Sequence, residues 1–338
     1  MAARLAVTRE QVLAFRRRVG ALDERFAKSR RSLRRAAWAG LQDSMPRAAL
    51  LSIHARVAGC GPDALEDDSL VQVWGPRYSA FVIAARDLAV FTLGRLPRKG
   101  KARRRAEETA DRLDGLLGGE EMPYGEAGRA LGVPPNSLRY ATTTGRVLIR
   151  WDGARQPVVW TVPPPDADPD EARLELARRY LHVYGPATSE GFARWAGIPT
   201  RDGTEAFDVL RRSLSPVTTP IGEGWILGSD TEALIGPPAT PAPARLLPSG
   251  DAFFLLQGDD RGLVVPDAAR RSLLWTSRVW PGALLVGGEF AGTWRRTHDA
   301  VTVAPWRRLS KDERAAVESE AAALPLPGVE EITVVWER

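Results

Sequence analysis

Cysteine is almost missing from this 338-residue chain: Cys60 stands alone, beside three histidines, His54, His182 and His298. One cysteine closes no intramolecular disulfide, and so few thiols and imidazoles leave no Cys/His zinc framework. The chain is therefore expected to work without a metal and without a cofactor. Long apolar runs are missing too; nothing approaches the roughly 18–20 residues that cross a bilayer, so no membrane partner is expected. The opening stretch "MAARLAVTREQVLAFRRRVG" lacks the apolar core and small-residue cleavage site of a secretory signal. A cytoplasmic protein is the expectation. Disorder is excluded by composition, because 44% hydrophobic and 26% charged residues are ordinary for a chain that buries a core.

What is present in quantity is arginine, and it is clustered. Lysine and arginine total 47 against 42 acids, for a net charge of +5, which permits a polyanionic partner without demanding one. Lys28, Arg30, Arg31, Arg34 and Arg35 form one run, and Arg95, Arg98, Lys99, Lys101 and Arg103 to Arg105 form another. Guanidinium groups suit bidentate phosphate contacts, and they equally suit a solvated surface.

The local patterning repeats. In "MPYGEAGRALGVPPNSLRYATTTGRVLIRWDGARQPVVWTV", Tyr124 to Leu131 reads as a short helix, "VPP" as a turn, and Asn136 as the cap of a second helix. The β-rich runs "RVLIRW" and "PVVWTV" follow, joined by a polar "DGARQ" hairpin. Helix-turn-helix plus hairpin predicts a winged helix. The same order returns in "DEARLELARRYLHVYG", "ATSEGFARWAG", "TEAFDVLRRSL" and "VTTPIGEGWILG". A third copy is expected at the N-terminus, with "LVQVWGPRYSAFVIA" as its wing. Residues 231 to 248 are proline-rich and predict a connector without regular structure. Beyond them "AFFLLQG", "GLVVP", "ALLVGGEFAGTWRR", "AVTVAPWRRL" and "EITVVWE" predict strands, with one helix near residues 310 to 323. The expected fold class is α+β: tandem winged-helix modules over 1–100, 101–165 and 166–230, then a β-rich, barrel-like domain over 231–338.

One polar triplet, Gln42-Asp43-Ser44 in "GLQDSMPR", separates two helical patterns. Asp43 or Ser44 can cap a helix running from about Pro46 to Ala58. The same side chains can hold a water or accept a proton. Both readings stand at this level.

The strings "GLQDSMPRAALLSIHARV", "VQVWGPRYSAFVIAARDL", "LLPSGDAFFL" and "GTWRR", in this order, resemble the winged-helix DNA glycosylases of the AlkZ and YcaQ type. The likeness spans roughly residues 7 to 336. It implies a double-stranded DNA partner, a monomer, and monofunctional hydrolysis of the N-glycosidic bond of alkylated purines, with bulky or crosslinked lesions included. It also implies that Gln42 matches the first water-holding position of a Gln-x-Gln or Gln-x-Asp motif. Ser44 stands at the second, Asp43 in the middle slot, and Phe81 where the family often has a histidine. Gln42, Asp43 and Ser44 are thus the catalytic candidates. DNA contacts are expected from Arg34, Arg35, Arg47, Arg77, Arg139 and Arg155, and pocket contributions from His54, Phe81 and Asp251. The alternative is a DNA-binding lesion sensor or regulator that keeps the fold without the chemistry.

Overall fold

The computed structural model describes residues 5–337 apart from 44, 46, 152, 154 and 257. The expected N-terminal helices are Arg9–Val19, Arg30–Ala36 and Ala48–Arg56. Thr8 and Gln11 close the first of them with a reciprocal capping box, the device a Thr-x-x-Gln spacing provides. The hairpin Leu70–Trp74/Ala80–Ala84 follows as the wing. Helix Tyr124–Ala130 and the hairpin Val147–Arg150/Val158–Thr161 repeat the plan, and helices Pro169–Tyr184, Ser189–Ala196 and Thr200–Leu210 precede a third hairpin, Leu214–Thr219/Gly222–Leu227. The second basic run lies at the start of a 17-residue helix, Lys101–Leu117.

Four local expectations fail, each for a physical reason. The segment expected to be a helix capped by Asn136 is a run of 3-10 turns, Pro135–Thr144, and Asn136 does not cap it. Its entry through two prolines and its string of three threonines disfavour α-helical packing. The proline-rich connector contains a short helix, Thr231–Ile235, and a strand, Ala244–Leu247, because the prolines themselves fall between those two elements. "AFFLLQG" is not a strand; the backbone N–H groups of Phe254 and Leu255 both donate to the Asp251 carbonyl, which folds the segment into turns. "GLVVP" falls largely in a short helix, Asp260–Val264.

The hairpins do not stay separate. Strand Leu70–Trp74 pairs with Val147–Arg150 at Gln72 and Ile149, so the first two wings fuse into one six-stranded sheet. Strand Leu41–Gln42, which ends on the first residue of the polar triplet, forms one edge of that sheet against Ala80–Ala84. A three-stranded sheet joins Leu5–Ala6, in parallel, to Leu214–Thr219. The C-terminal sheet has five strands and is antiparallel except where Ala300–Pro305 meets Thr333–Trp336. Tyr180, Tyr184, Phe192 and Trp195 stack at the centre of the largest core, with ring centroids 5.1–6.5 Å apart.

Candidate active site

The short strand Leu41–Gln42 and the residue after it, Asp43, alternate in direction along the extended backbone, so that Gln42 and Asp43 face different sides. The register is fixed by Gln42 opposite Phe81 and by the Asp43 N–H donating to the Ala80 carbonyl at 2.8 Å. Gln42 faces a cleft of about 410 Å³ walled by Met45, Arg77, Ser79, Ser249, Arg261, Arg278 and Trp280. Arg77 donates to Gln42 Oε1 at 2.9 Å and to the Trp195 carbonyl at 3.0 Å, so it orients the amide from a fixed anchor. Gly250 closes the other side; a Cβ there would stand 2.9 Å from Gln42 Nε2. Only glycine fits that approach, and its φ of +74° asks for glycine independently.

Asp43 points away from this cleft and is 2% exposed. Its Oδ1 accepts from the Ala49 N–H at 2.9 Å and its Oδ2 from Gln72 Nε2 at 3.0 Å. It thus satisfies the first turn of helix Ala48–Arg56 from six residues away, the cap role in an indirect form, while Arg47 occupies the N-cap position itself. Gln72 carries the contact onward: it donates to the Trp151 carbonyl at 3.2 Å and accepts from the Trp151 N–H at 2.6 Å. The first residue past strand Val147–Arg150 is in this way tied to the triplet. Burial raises the Asp43 carboxyl to about 6, against the opposing pull of the Ala49 N–H, Arg47, the Ala48 N–H and Gln72.

That shift has a stability consequence with a definite sign. A carboxyl raised in the folded state contributes stability below its unfolded value near 4, and loses it as pH rises through 6. The wild type is expected to lose about 2 kcal/mol between pH 4.5 and 7 that Asp43→Asn does not lose. Urea unfolding of both proteins at pH 4.5 and 7 measures this. An unchanged difference between them at the two pH values would show that Asp43 titrates normally.

Other expected site residues are distributed as follows. Ser44 lies outside the described residues. Arg47 and Arg77 both adopt left-handed backbone, with φ of 64° and 55°, a conformation that costs a non-glycine residue about 1 kcal/mol or more. Both flank the triplet in space, and the Arg47 charge acts on Asp43. Arg139 packs over Trp74, 5.9 Å from the ring centroid, and its Nη1 reaches the Tyr78 carbonyl at 3.4 Å. Arg155 is exposed at the second hairpin, where its carbonyl accepts from Trp151 Nε1. Arg34 and Arg35 lie in a different cavity from Gln42.

The three pocket candidates do not line the Gln42 cleft. Phe81 is fully buried, wedged between Gly40 and Gly75, where any Cβ would come within 3.0 Å of its ring. His54 is buried beside Arg25, whose Nη2 lies 3.2 Å from Nε2; desolvation first, then Arg25 and Arg245, lower it to about 4, so it is neutral at physiological pH. Asp251 is held bidentately by Arg56 at 2.7 and 2.8 Å and accepts from Ser52 Oγ at 2.6 Å. It fixes the turn that brings Gly250 against Gln42.

Sequence reasoning missed Gln72, Arg261, Arg278 and Trp280. Gln72 left a trace as the polar member of "LVQVW"; the other three gave none, because a wall built by residues 261–280 against residue 42 is a tertiary fact. Arg261 stacks between Trp275 and Trp280, at 5.0 and 5.2 Å from their centroids. The groove continues past Met45, Ser249, Val279 and Trp280 into a second hollow of about 330 Å³ carrying Arg295 and Arg296. No carboxylate lines either part among the described residues. Nor do the described residues gather three or more His, Cys, Asp or Glu that could hold a metal ion, or form a helix long and apolar enough to cross a membrane.

The chain is similar to known proteins in sequence and in fold. An interstrand DNA cross-link repair glycosylase of Streptomyces sahachiroi is 29% identical over 165 residues, which cover 46% of this chain and 42% of that protein. The solved structure of Streptomyces sahachiroi DNA glycosylase AlkZ matches with a TM-score of 0.78 over 98% of this chain and 100% of that one; at 20% identity it speaks for the fold. The profile of the AlkZ-like DNA glycosylases matches residues 33–325, and on that extent the chain belongs to the AlkZ-like DNA glycosylase family.

Proposed function

We propose that the protein is a monofunctional DNA glycosylase that hydrolyses the N-glycosidic bond of purines alkylated at N7 or N3, on a flipped nucleotide received by the Gln42 cleft. The carrying observation is what the cleft contains: an oriented amide and three arginines, with no carboxylate in its wall among the described residues. A site without a general acid cannot readily expel a neutral base. A purine alkylated at N7 already bears positive charge and leaves as a neutral molecule, so such a site suffices for it. The amide oxygen of Gln42, with its two lone pairs, serves Arg77 and the attacking water together and turns its dipole toward the developing oxocarbenium centre. Arg77, Arg261 and Arg278 suit the flanking phosphates, and Trp280 offers a face for the extruded base. In this reading Asp43 is a positioning residue, since it is buried behind the strand. The continuation of the groove beside Arg295 and Arg296 gives room for a bulky adduct, and the relative named for interstrand cross-link repair supports that extension.

A duplex bearing one N7-methylguanine, incubated with the protein and then heated in alkali, is expected to break at the lesion. Without alkali it stays intact. A uracil-containing duplex, whose base is a poor leaving group, is expected to stay intact in both treatments. Tight, salt-dependent binding with no base released from any N-alkylated purine would replace this reading with the non-catalytic lesion sensor.

A further inference from the structure

A second cavity, somewhat larger than the Gln42 cleft, lies apart from it. It encloses about 480 Å³ between helix Arg30–Ala36, the end of helix Arg9–Val19, the segment 38–40 and helix Pro169–Tyr184, and it shares no wall residue with the cleft. Its volume is that of a small-molecule site. Among the described residues, five arginines line it, Arg31, Arg34, Arg35, Arg56 and Arg86, and no carboxylate does. Arg56 is neutralised by Asp251, so the charge without a close carboxylate lies on Arg31, Arg34 and Arg35, with Arg86 only weakly compensated. Arg86 is 3.8 Å from Asp87, a carboxylate that Arg179 already holds at 2.7 Å.

Three of these arginines share one helical face by their spacing of i, i+3 and i+4. Like charges so placed repel, and a folded protein keeps such an arrangement at a cost unless something anionic relieves it. The neighbouring Arg30 is turned outward to Asp67 and Asp68, whereas Arg31, Arg34 and Arg35 have no carboxylate within 4.0 Å among the described residues. Two buried donors also lack a partner, Arg34 Nε and the indole Nε1 of Trp38. Apart from Trp38 and His182, the rest of the wall is apolar or glycine, with Val19, Phe26, Ala36, Ala39 and Val183 as its floor. Trp38 stands at the boundary, one face under the Arg179 guanidinium at 4.3 Å and its edge toward His182, which is itself held by Asp230 at 2.8 Å.

A basic rim, an apolar floor and unpaired donors select a ligand that is anionic at one end and flat and weakly polar at the other. We infer that this cavity binds a nucleoside phosphate ester, presented either as a free nucleotide or as the end of a DNA strand, at a site separate from base excision. The phosphate takes Arg31, Arg34 and Arg35 as donors in the manner of guanidinium–phosphate pairs, and the nucleoside lies against the floor beside Trp38.

Calorimetric titration of the full chain at low salt tests this, with deoxyadenosine 5′-monophosphate, deoxyadenosine and inorganic phosphate as probes. The monophosphate is expected to bind at least about tenfold more tightly than either fragment, one equivalent per chain. Arg31→Ala/Arg35→Ala, both exposed positions, is expected to lose at least about tenfold in that affinity with an unchanged or higher melting temperature, since the repulsion is removed. Arg86→Ala, on a different element, is expected to weaken it as well. Arg261→Ala, in the cleft, is expected to leave it intact. A 5′-phosphorylated single strand that displaces the nucleotide identifies a strand end as the source; failure to displace identifies the free nucleotide. Equal binding of nucleotide and nucleoside, survival of binding in the double variant, or its loss in Arg261→Ala would overturn the inference.

Discussion

Gln42→Ala is expected to slow base release by about 10²–10³-fold while changing DNA affinity only a few-fold. The split follows from where the side chain sits. Gln42 projects from an edge strand pinned by its pairing with Phe81, and its amide is held by Arg77 on one side and crowded by Gly250 on the other. A group held so firmly is worth most when charge develops at the sugar, because no reorganisation is needed at that moment. Alanine leaves Arg261 and Arg278 in place and Arg77 still anchored to the Trp195 carbonyl, so the proposed phosphate contacts, and with them ground-state binding, persist. Single-turnover release from an N7-methylguanine duplex, beside an equilibrium titration of the same duplex, separates the two quantities. An unchanged release rate would remove Gln42 from the chemistry. A parallel loss of rate and affinity would mean that it merely shapes the cleft.

Asp251→Ala carries the largest expected effect on stability, a loss of about 3–5 kcal/mol, because it strands the Arg56 guanidinium in the interior. The side chains of this pair are 4% and 0% exposed. Asp251 also accepts from Ser52 Oγ and from the Phe253 N–H at 2.9 Å, so its removal undoes the turn as well as the ion pair. The loss is expected to reach the active site through Gly250, lowering base release in the fraction that remains folded. Chemical denaturation gives the first number. A double variant, Arg56→Met/Asp251→Leu, is expected to recover most of the stability, since replacing both members with apolar side chains removes the unpaired charge. If the single variant is as stable as the double, the pair contributes nothing.

Much of the architecture is legible in the sequence because it is local. The Thr8 and Ser310 capping boxes, the proline opening helix Pro169–Tyr184 and the alternation in the hairpins are written within a few residues of what they control. The errors arise where a distant partner decides. "AFFLLQG" has strand composition, yet Asp251 draws its backbone into turns because Arg56 waits almost two hundred residues upstream. The fusion of two wings into one sheet depends on Gln72 meeting Ile149. Asp43 illustrates the same limit at the site: its position in the triplet is plain, but only strand geometry says that it faces inward while Gln42 faces the cleft. Arg261 and Trp280 enter the wall through folding alone.

The parallel pairing of Leu5–Ala6 with Leu214–Thr219 sets a timetable for the ribosome. Helix Arg9–Val19 buries Val12 and Phe15 against Val217, Ile226, Leu234 and Leu263, so this part of its apolar face has no partner until about 200 further residues have been translated. At roughly 5–20 residues per second, that face waits on the order of ten to forty seconds in the nascent chain. This helix is thus buried only once distant residues have been made, and a chain released early from translation leaves an adhesive helix rather than a small folded domain.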